Sequence, residues 1–211
     1  VGPDFTLSYR TKEWGSVELG QRGLVWQAID AGGFKLGLAA GFDPGRKTKD
    51  TSTGDPTPGD KRLAGLGDVR SSPEAGVLLG YGPFGLLVHK SVSDRGHKGA
   101  QVDLNADWPL AVTDKVGVRF GAGLTWADKR YTQTYFGVTP AQALASGFRA
   151  YSPKGGVRKF DVSVGAEYAF VKDWKLQGTL AVSQLTGDAA DSPLVARKSS
   201  PSASMGIAYV F

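Results

Sequence analysis

Apolar and polar residues alternate one for one along much of this chain, in segments of about ten residues, and that pattern leaves few folds open. Between Lys159 and Phe170, Phe160, Val162, Val164, Ala166, Tyr168 and Phe170 share one face of an extended chain, while Asp161, Ser163, Gly165 and Glu167 share the other. Side chains alternate across a strand, so such a segment has one greasy and one polar face. Trp174, Leu176, Gly178, Leu180 and Val182 repeat the pattern after Val171 to Asp173, a spacing that predicts a hairpin. Val102 to Trp108, Val116 to Trp126, Phe34 to Phe42, Ala75 to Tyr81 and Phe84 to Val88 do the same, with a Gly82-Pro83 turn between the last two. The stretch Val17 to Ile29 is less regular.

Soluble β-sandwiches and membrane barrels both use such strands. Two features favour the barrel. Aromatics gather at strand ends, where amphipathic rings suit a membrane interface. Tyr81, Phe84, Trp108, Phe170, Trp174, Tyr209 and Phe211 are expected in one girdle, with Phe42, Trp126 and Phe160 near the other. Connections are also unequal, short turns alternating with longer polar segments at Asp43 to Arg70, Asp128 to Arg158 and Gly187 to Pro201. The expectation is an all-β, transmembrane, antiparallel up-and-down β-barrel of about ten strands (range about 8–12), in one domain over 1–211. Its strands are read at 4–11, 16–29, 33–43, 71–81, 84–92, 97–108, 115–126, 158–170, 174–186 and 202–211. An even count would put both termini on the periplasmic side.

One short helix is expected in the loop after Trp126. Thr139 is its N-cap, Pro140 its first residue, Gln142 closes a capping box and Gly147 stops it. That helix would fold the loop over the barrel mouth, while Asp43 to Arg70, rich in Gly, Pro, Asp and Lys, is expected to be mobile. No window holds the roughly 18 consecutive apolar residues of a membrane helix, a test barrel strands evade because only alternate residues face lipid. The first residues, Val1-Gly2-Pro3-Asp4-Phe5, carry no basic stretch followed by an apolar run, so any export signal is expected to be absent from this chain. Met205, Ile207, Tyr209 and Phe211 share one face, and a terminal aromatic on an amphipathic strand is expected to be a native outer-membrane assembly signal. Net charge is +5, but the lysines and arginines are interleaved with carboxylates and form no stripe, which argues against nucleic acid.

Tyr131-Thr132-Gln133-Thr134-Tyr135-Phe136-Gly137-Val138-Thr139-Pro140-Ala141-Gln142-Ala143 resembles the hallmark segment of the MltA-interacting protein (MipA/OmpV) family. Agreement extends to Gly65-Leu66-Gly67-Asp68, to Leu124-Thr125-Trp126-Ala127-Asp128 and to Leu185-Thr186-Gly187-Asp188-Ala189-Ala190-Asp191-Ser192-Pro193. The resemblance covers most of the chain from about Gly65 onward; upstream, Val1 to Phe5 resembles the family's early segment, followed by a shortened loop and strand. It implies a Gram-negative outer-membrane barrel with no known enzymatic activity. The name-giving member is a scaffold joining a murein-degrading lytic transglycosylase to a murein synthase. Outer-membrane lipids and lipopolysaccharide would surround it. A small charge-selective pore or a surface adhesion protein is the alternative, and an outer-membrane hydrolase a more distant one.

The alternation directs Glu18, Arg22, Lys35, Glu74, His89, Asp103, Asp107, Lys115, Arg119, Asp161, Glu167 and Lys175 inward. A barrel of about ten strands is narrow, so these groups are expected to pair and block the interior rather than line a channel. For hydrolysis, His97 beside Asp94, with Ser91 and Ser93 nearby, offers a conceivable base and nucleophile, but no third residue orients the ring. His97 and Ser93 are therefore read as solvated turn residues. No cysteine, two histidines and no calcium-loop spacing leave no expected metal site, catalytic residue or cofactor.

Overall fold

The computed structural model describes residues 6–11, 13–20, 23–48 and 59–209. Among them, eleven strands form one antiparallel sheet in which each strand pairs with its neighbours along the chain. These are β1 (Leu7–Thr11), β2 (Gly15–Gly20), β3 (Gly23–Ala31), β4 (Phe34–Asp43), β5 (Ser72–Tyr81) and β6 (Phe84–Ser91). They continue as β7 (Ala100–Ala111), β8 (Val116–Ala127), β9 (Gly156–Val171), β10 (Trp174–Leu185) and β11 (Ser199–Tyr209). The fold is the expected up-and-down meander of a β-barrel, and the sheet curls so that β4 and β9 line one cavity of about 430 Å³.

One boundary differs from the sequence reading and changes the count. Residues 16–29 are two strands, not one: Gly20 pairs with Gly23, whose left-handed backbone (φ 87°) suits a tight reversal. Eleven described strands replace ten, so β1 and β11 run in the same direction instead of opposite ones. Arg22, the Val1 to Phe5 segment and the terminal Phe211 lie outside the described residues.

Register places the apolar positions in continuous belts. Leu36, Leu79, Leu86, Leu104, Leu124 and Phe160 pair in succession from β4 to β9. Leu79, Leu104 and Phe160 are exposed, Leu104 at 49%, and Leu36, Leu86 and Leu124 in the same belt are half-buried. Aromatics sit where the pattern predicts: Phe34 pairs with Tyr81 and Tyr81 with Phe84, Phe84 meets Trp108 edge-on at 6.2 Å, and Trp174 meets Tyr209 at 5.0 Å.

Burial is confined mainly to the long-loop end. Leu66, Ala127, Tyr131, Val138, Ala189 and Ala190 are its buried apolar residues. The expected helix forms as α2 (Pro140–Ser146), with Thr139 and Gln142 completing the capping box and Gly147 (φ 78°) ending it. Two helices were not expected: α1 (Lys129–Phe136), capped by Asp128, and the single turn α3 (Gly187–Ala190). A 3₁₀ turn covers Lys61–Leu63.

Candidate functional site

Three long connections interlock over the sheet's long-loop end. Gln142 Nε2 donates to Leu66 O at 2.6 Å, joining α2 to the first long loop, and Arg46 Nη1 donates to Tyr135 O at 3.0 Å. Ser192 Oγ donates to Phe136 O at 2.6 Å, and Tyr151 hydroxyl to Asp188 O at 2.8 Å, tying in the last long loop. The described ends of the first loop are held, not free. Arg46 and Val69 form a bridge, and Thr48 donates twice to Asp68 Oδ1, from its amide at 2.8 Å and its hydroxyl at 2.9 Å. Residues 49–58, where mobility was expected, lie outside the described set.

Beneath α1 a chain of polar groups descends into the interior. Alternation on β5, β6 and β7 turns Glu74, His89 and Asp103 inward, and Thr125 follows from β8. His89 Nδ1 lies 3.2 Å from Glu74 Oε2, and its Nε2 3.0 Å from Asp103 Oδ2. Thr125 hydroxyl donates to Asp103 Oδ1 at 2.6 Å. Above them His97, from the β6–β7 connection, brings Nε2 within 3.0 Å of Glu74 Oε1 and 3.9 Å of Asp43 Oδ2. Tyr135 hydroxyl donates to Asp43 Oδ1, and Arg158 lies over the Tyr131 ring at 5.0 Å. Burial pushes the Tyr131 phenol up to about 12 and, with the hydrogen bond to Asp43, raises Tyr135 further. Desolvation lowers Arg46.

This arrangement corrects the reading of His97. The side chain is not solvated: the residue is 1% exposed and its ring meets Tyr131 edge-on at 4.9 Å. Asp94, its neighbour in sequence, is exposed, and Ser93 is half-buried with its hydroxyl accepting from the Arg95 amide. Ser91 hydroxyl shares a 2.5 Å hydrogen bond with Ser72. The base and nucleophile imagined from spacing therefore face different partners.

Two more of the inward charges, Glu167 and Asp161, meet an opposite charge, whereas Asp107 accepts from a neutral amide. Lys175 Nζ is 3.2 Å from Glu167, Lys159 Nζ is 3.0 Å from Asp161, and Asn105 donates to Asp107 at 3.1 Å. Lys115 and Arg119 line a second cavity of about 440 Å³ toward the short-turn end with Glu167 and Lys175. Glu18 pairs with Ser8 and is exposed, and Lys35 pairs with Gly80 and is half-buried. Ion pairs and hydrogen bonds thus cross-link parts of the interior around the two cavities, and the long connections lie over the mouth.

The whole chain, residues 1–211, matches the family described as "MltA-interacting protein MipA". Two curated relatives, each named "MltA-interacting protein", come from Escherichia coli (strain K12) and Shigella flexneri. Each is 27% identical over 155 residues, covering 72% of this chain and 62% of the relative. The matched part therefore spans less than two thirds of either relative's length. Among solved structures, one described as "Outer-membrane expressed OmpT of Vibrio cholerae" aligns with 97% of this chain and 63% of its own, at 13% identity and a TM-score of 0.42.

Proposed function

The chain belongs to the MltA-interacting protein MipA family, and from that premise we propose that it spans the Gram-negative outer membrane as a closed-mouthed, non-enzymatic scaffold. The observation that carries the membrane reading is the inverted burial of the strands, whose large apolar residues point outward and stay exposed. In water such a surface would be a severe liability; in lipid it is the favoured arrangement. Lipid chains and lipopolysaccharide would then surround the wall. The relatives are named for interaction with MltA, and the family resemblance adds the partner classes of the proposed scaffold: a murein lytic transglycosylase and a murein synthase.

Turns at the short-turn end limit how such partners can dock. Asp30 to Gly33, Gly82-Pro83 and Val171 to Asp173 are small, whereas a standard interface buries about 800 Å² on each partner. Several turns must act together, or the wall itself must take part. Affinity recovery from detergent-solubilised envelopes tests the reading. A lytic transglycosylase or murein synthase should be recovered, and shortening the long loops should leave that recovery intact. Recovery of surface ligands alone, lost on loop shortening, would replace the scaffold with an adhesion role.

A further inference from the structure

The mouth brings together a group whose chemistry the scaffold role does not use. Asp43 closes β4, Glu74 stands near the start of β5 and His97 belongs to the β6–β7 connection, and one ligand atom of each lies within 4.8 Å of the others. Each of the three has its second polar atom engaged elsewhere. Asp43 Oδ1 accepts from Tyr135 hydroxyl and from the Gly45 amide at 2.7 Å, Glu74 Oε2 faces His89 Nδ1, and His97 Nδ1 accepts from the Gly99 amide at 3.1 Å. What remains is Oδ2, Oε1 and Nε2, turned toward one another.

These remaining atoms are close without being bonded. Glu74 Oε1 and His97 Nε2 are both buried and neither has an aligned hydrogen-bond partner, although they are 3.0 Å apart. Their electrostatic contact only partly offsets the desolvation of a buried carboxylate oxygen and ring nitrogen, because no directed hydrogen bond joins them. Ligands of one ion adopt this geometry, since their lone pairs converge on a common point instead of on each other. The His97 side chain is fully buried, and Tyr135 and His89 supply the outer hydrogen bonds that orient metal-binding carboxylates.

We propose that Asp43, Glu74 and His97 bind one divalent transition-metal ion that fastens the β6–β7 connection to the wall beneath α1. One imidazole and two carboxylates match zinc, manganese or iron(II); calcium and magnesium take oxygen ligands. The three ligands lie on separate elements, so no short spacing motif marks them. In the metal-free ring the Gly99 contact places the proton on Nε2. Loading an ion moves that proton to Nδ1 and turns the Gly99 amide aside, a cost that neutralising two half-buried carboxylates offsets.

Untagged full-length chain in detergent, stripped with chelator, is titrated calorimetrically with zinc chloride and, separately, calcium chloride. One zinc per chain is expected, with no calcium uptake. His97→Gln should abolish the uptake, and Tyr135→Phe, which removes only an orienting hydrogen bond, should weaken it about tenfold. Each variant's heat-modifiable gel migration checks that it folds. Should His97→Gln not fold, the wild-type chain loaded with cobalt(II) decides: visible absorption of a protein-bound ion supports the site, and the spectrum of the aqueous ion overturns it. No zinc uptake, or uptake unchanged by His97→Gln, also overturns it. The scaffold reading is independent, since partner recovery is measured with and without chelator.

Discussion

The strand wall and the roofed mouth bury opposite kinds of residue. Along the wall, Leu79, Leu104 and Val164 face outward and Asp103, Asn105 and Asp161 face inward. At the mouth, Val138 is 2% exposed beneath polar loops and α2 turns Gln142 onto the first long loop. The same side-chain chemistry is therefore sorted by two different solvents. Hydrocarbon surrounds the wall, where each described strand from β2 to β10 pairs with a neighbour on both sides, and water surrounds the mouth, where helix caps and side chains finish the backbone bonds.

Charge placed on the two regions should expose that difference most strongly. Leu104→Arg, at mid-strand in the outward leucine belt, should destabilise the folded barrel in lipid by about 3 kcal/mol, as an arginine near the bilayer centre does. Urea titration in vesicles measures it, and a shift under about 0.5 kcal/mol would place Leu104 in water.

A smaller effect, confined to the mouth, is expected from Gly99→Val. A Cβ at Gly99 would lie 2.5 Å from the Tyr131 amide nitrogen and 2.6 Å from Asp128 Oδ1, so α1 must shift. A cost of about 2 kcal/mol is expected from overpacking. Planar-bilayer recordings should show little steady conductance for the wild-type chain and more for this variant. Large, reproducible wild-type channels would instead make the interior a pore.

Thr139→Ala removes one half of the α2 capping box, worth about 1 kcal/mol. Protease should then cut the loop around 140–147 faster while heat-modifiable migration is unchanged. Loss of both together would mean that wall and mouth fold as one unit. The smallest effect belongs to Leu144→Arg. This α2 residue is 92% exposed at the water-facing roof, and its replacement should change stability by less than about 0.5 kcal/mol. Set beside Leu104→Arg, it is the same substitution in the other solvent.

Legibility in the sequence follows the same division. Wall strands could be read because alternation is local: once Phe160 is outward, Val162 and Val164 follow. Helix α2 could be read because Thr139, Pro140, Gln142 and Gly147 state its start and stop within nine residues. The β2–β3 break was hidden because the apolar run Val17 to Ile29 continues through a reversal marked only by Gly20 and Gly23. Asp128 could have flagged α1 as an N-cap, but Tyr131 at the third helical position completes no capping box and Lys129-Arg130 adds no apolar period. The pairing of His97 with Glu74 and Asp43 was out of reach, since it joins a connection to two strand positions far away in sequence. Proximity along the chain pointed to Asp94 instead, which is exposed.

Contact of the outward face with lipid can be tested through the five tryptophans. Trp14, Trp26, Trp108, Trp126 and Trp174 are all exposed. In vesicles made with brominated acyl chains their emission should be strongly quenched, while acrylamide in the aqueous phase should quench them weakly. Strong acrylamide quenching with no effect of brominated lipid, from a chain that stays monodisperse without detergent, would contradict a membrane-spanning wall.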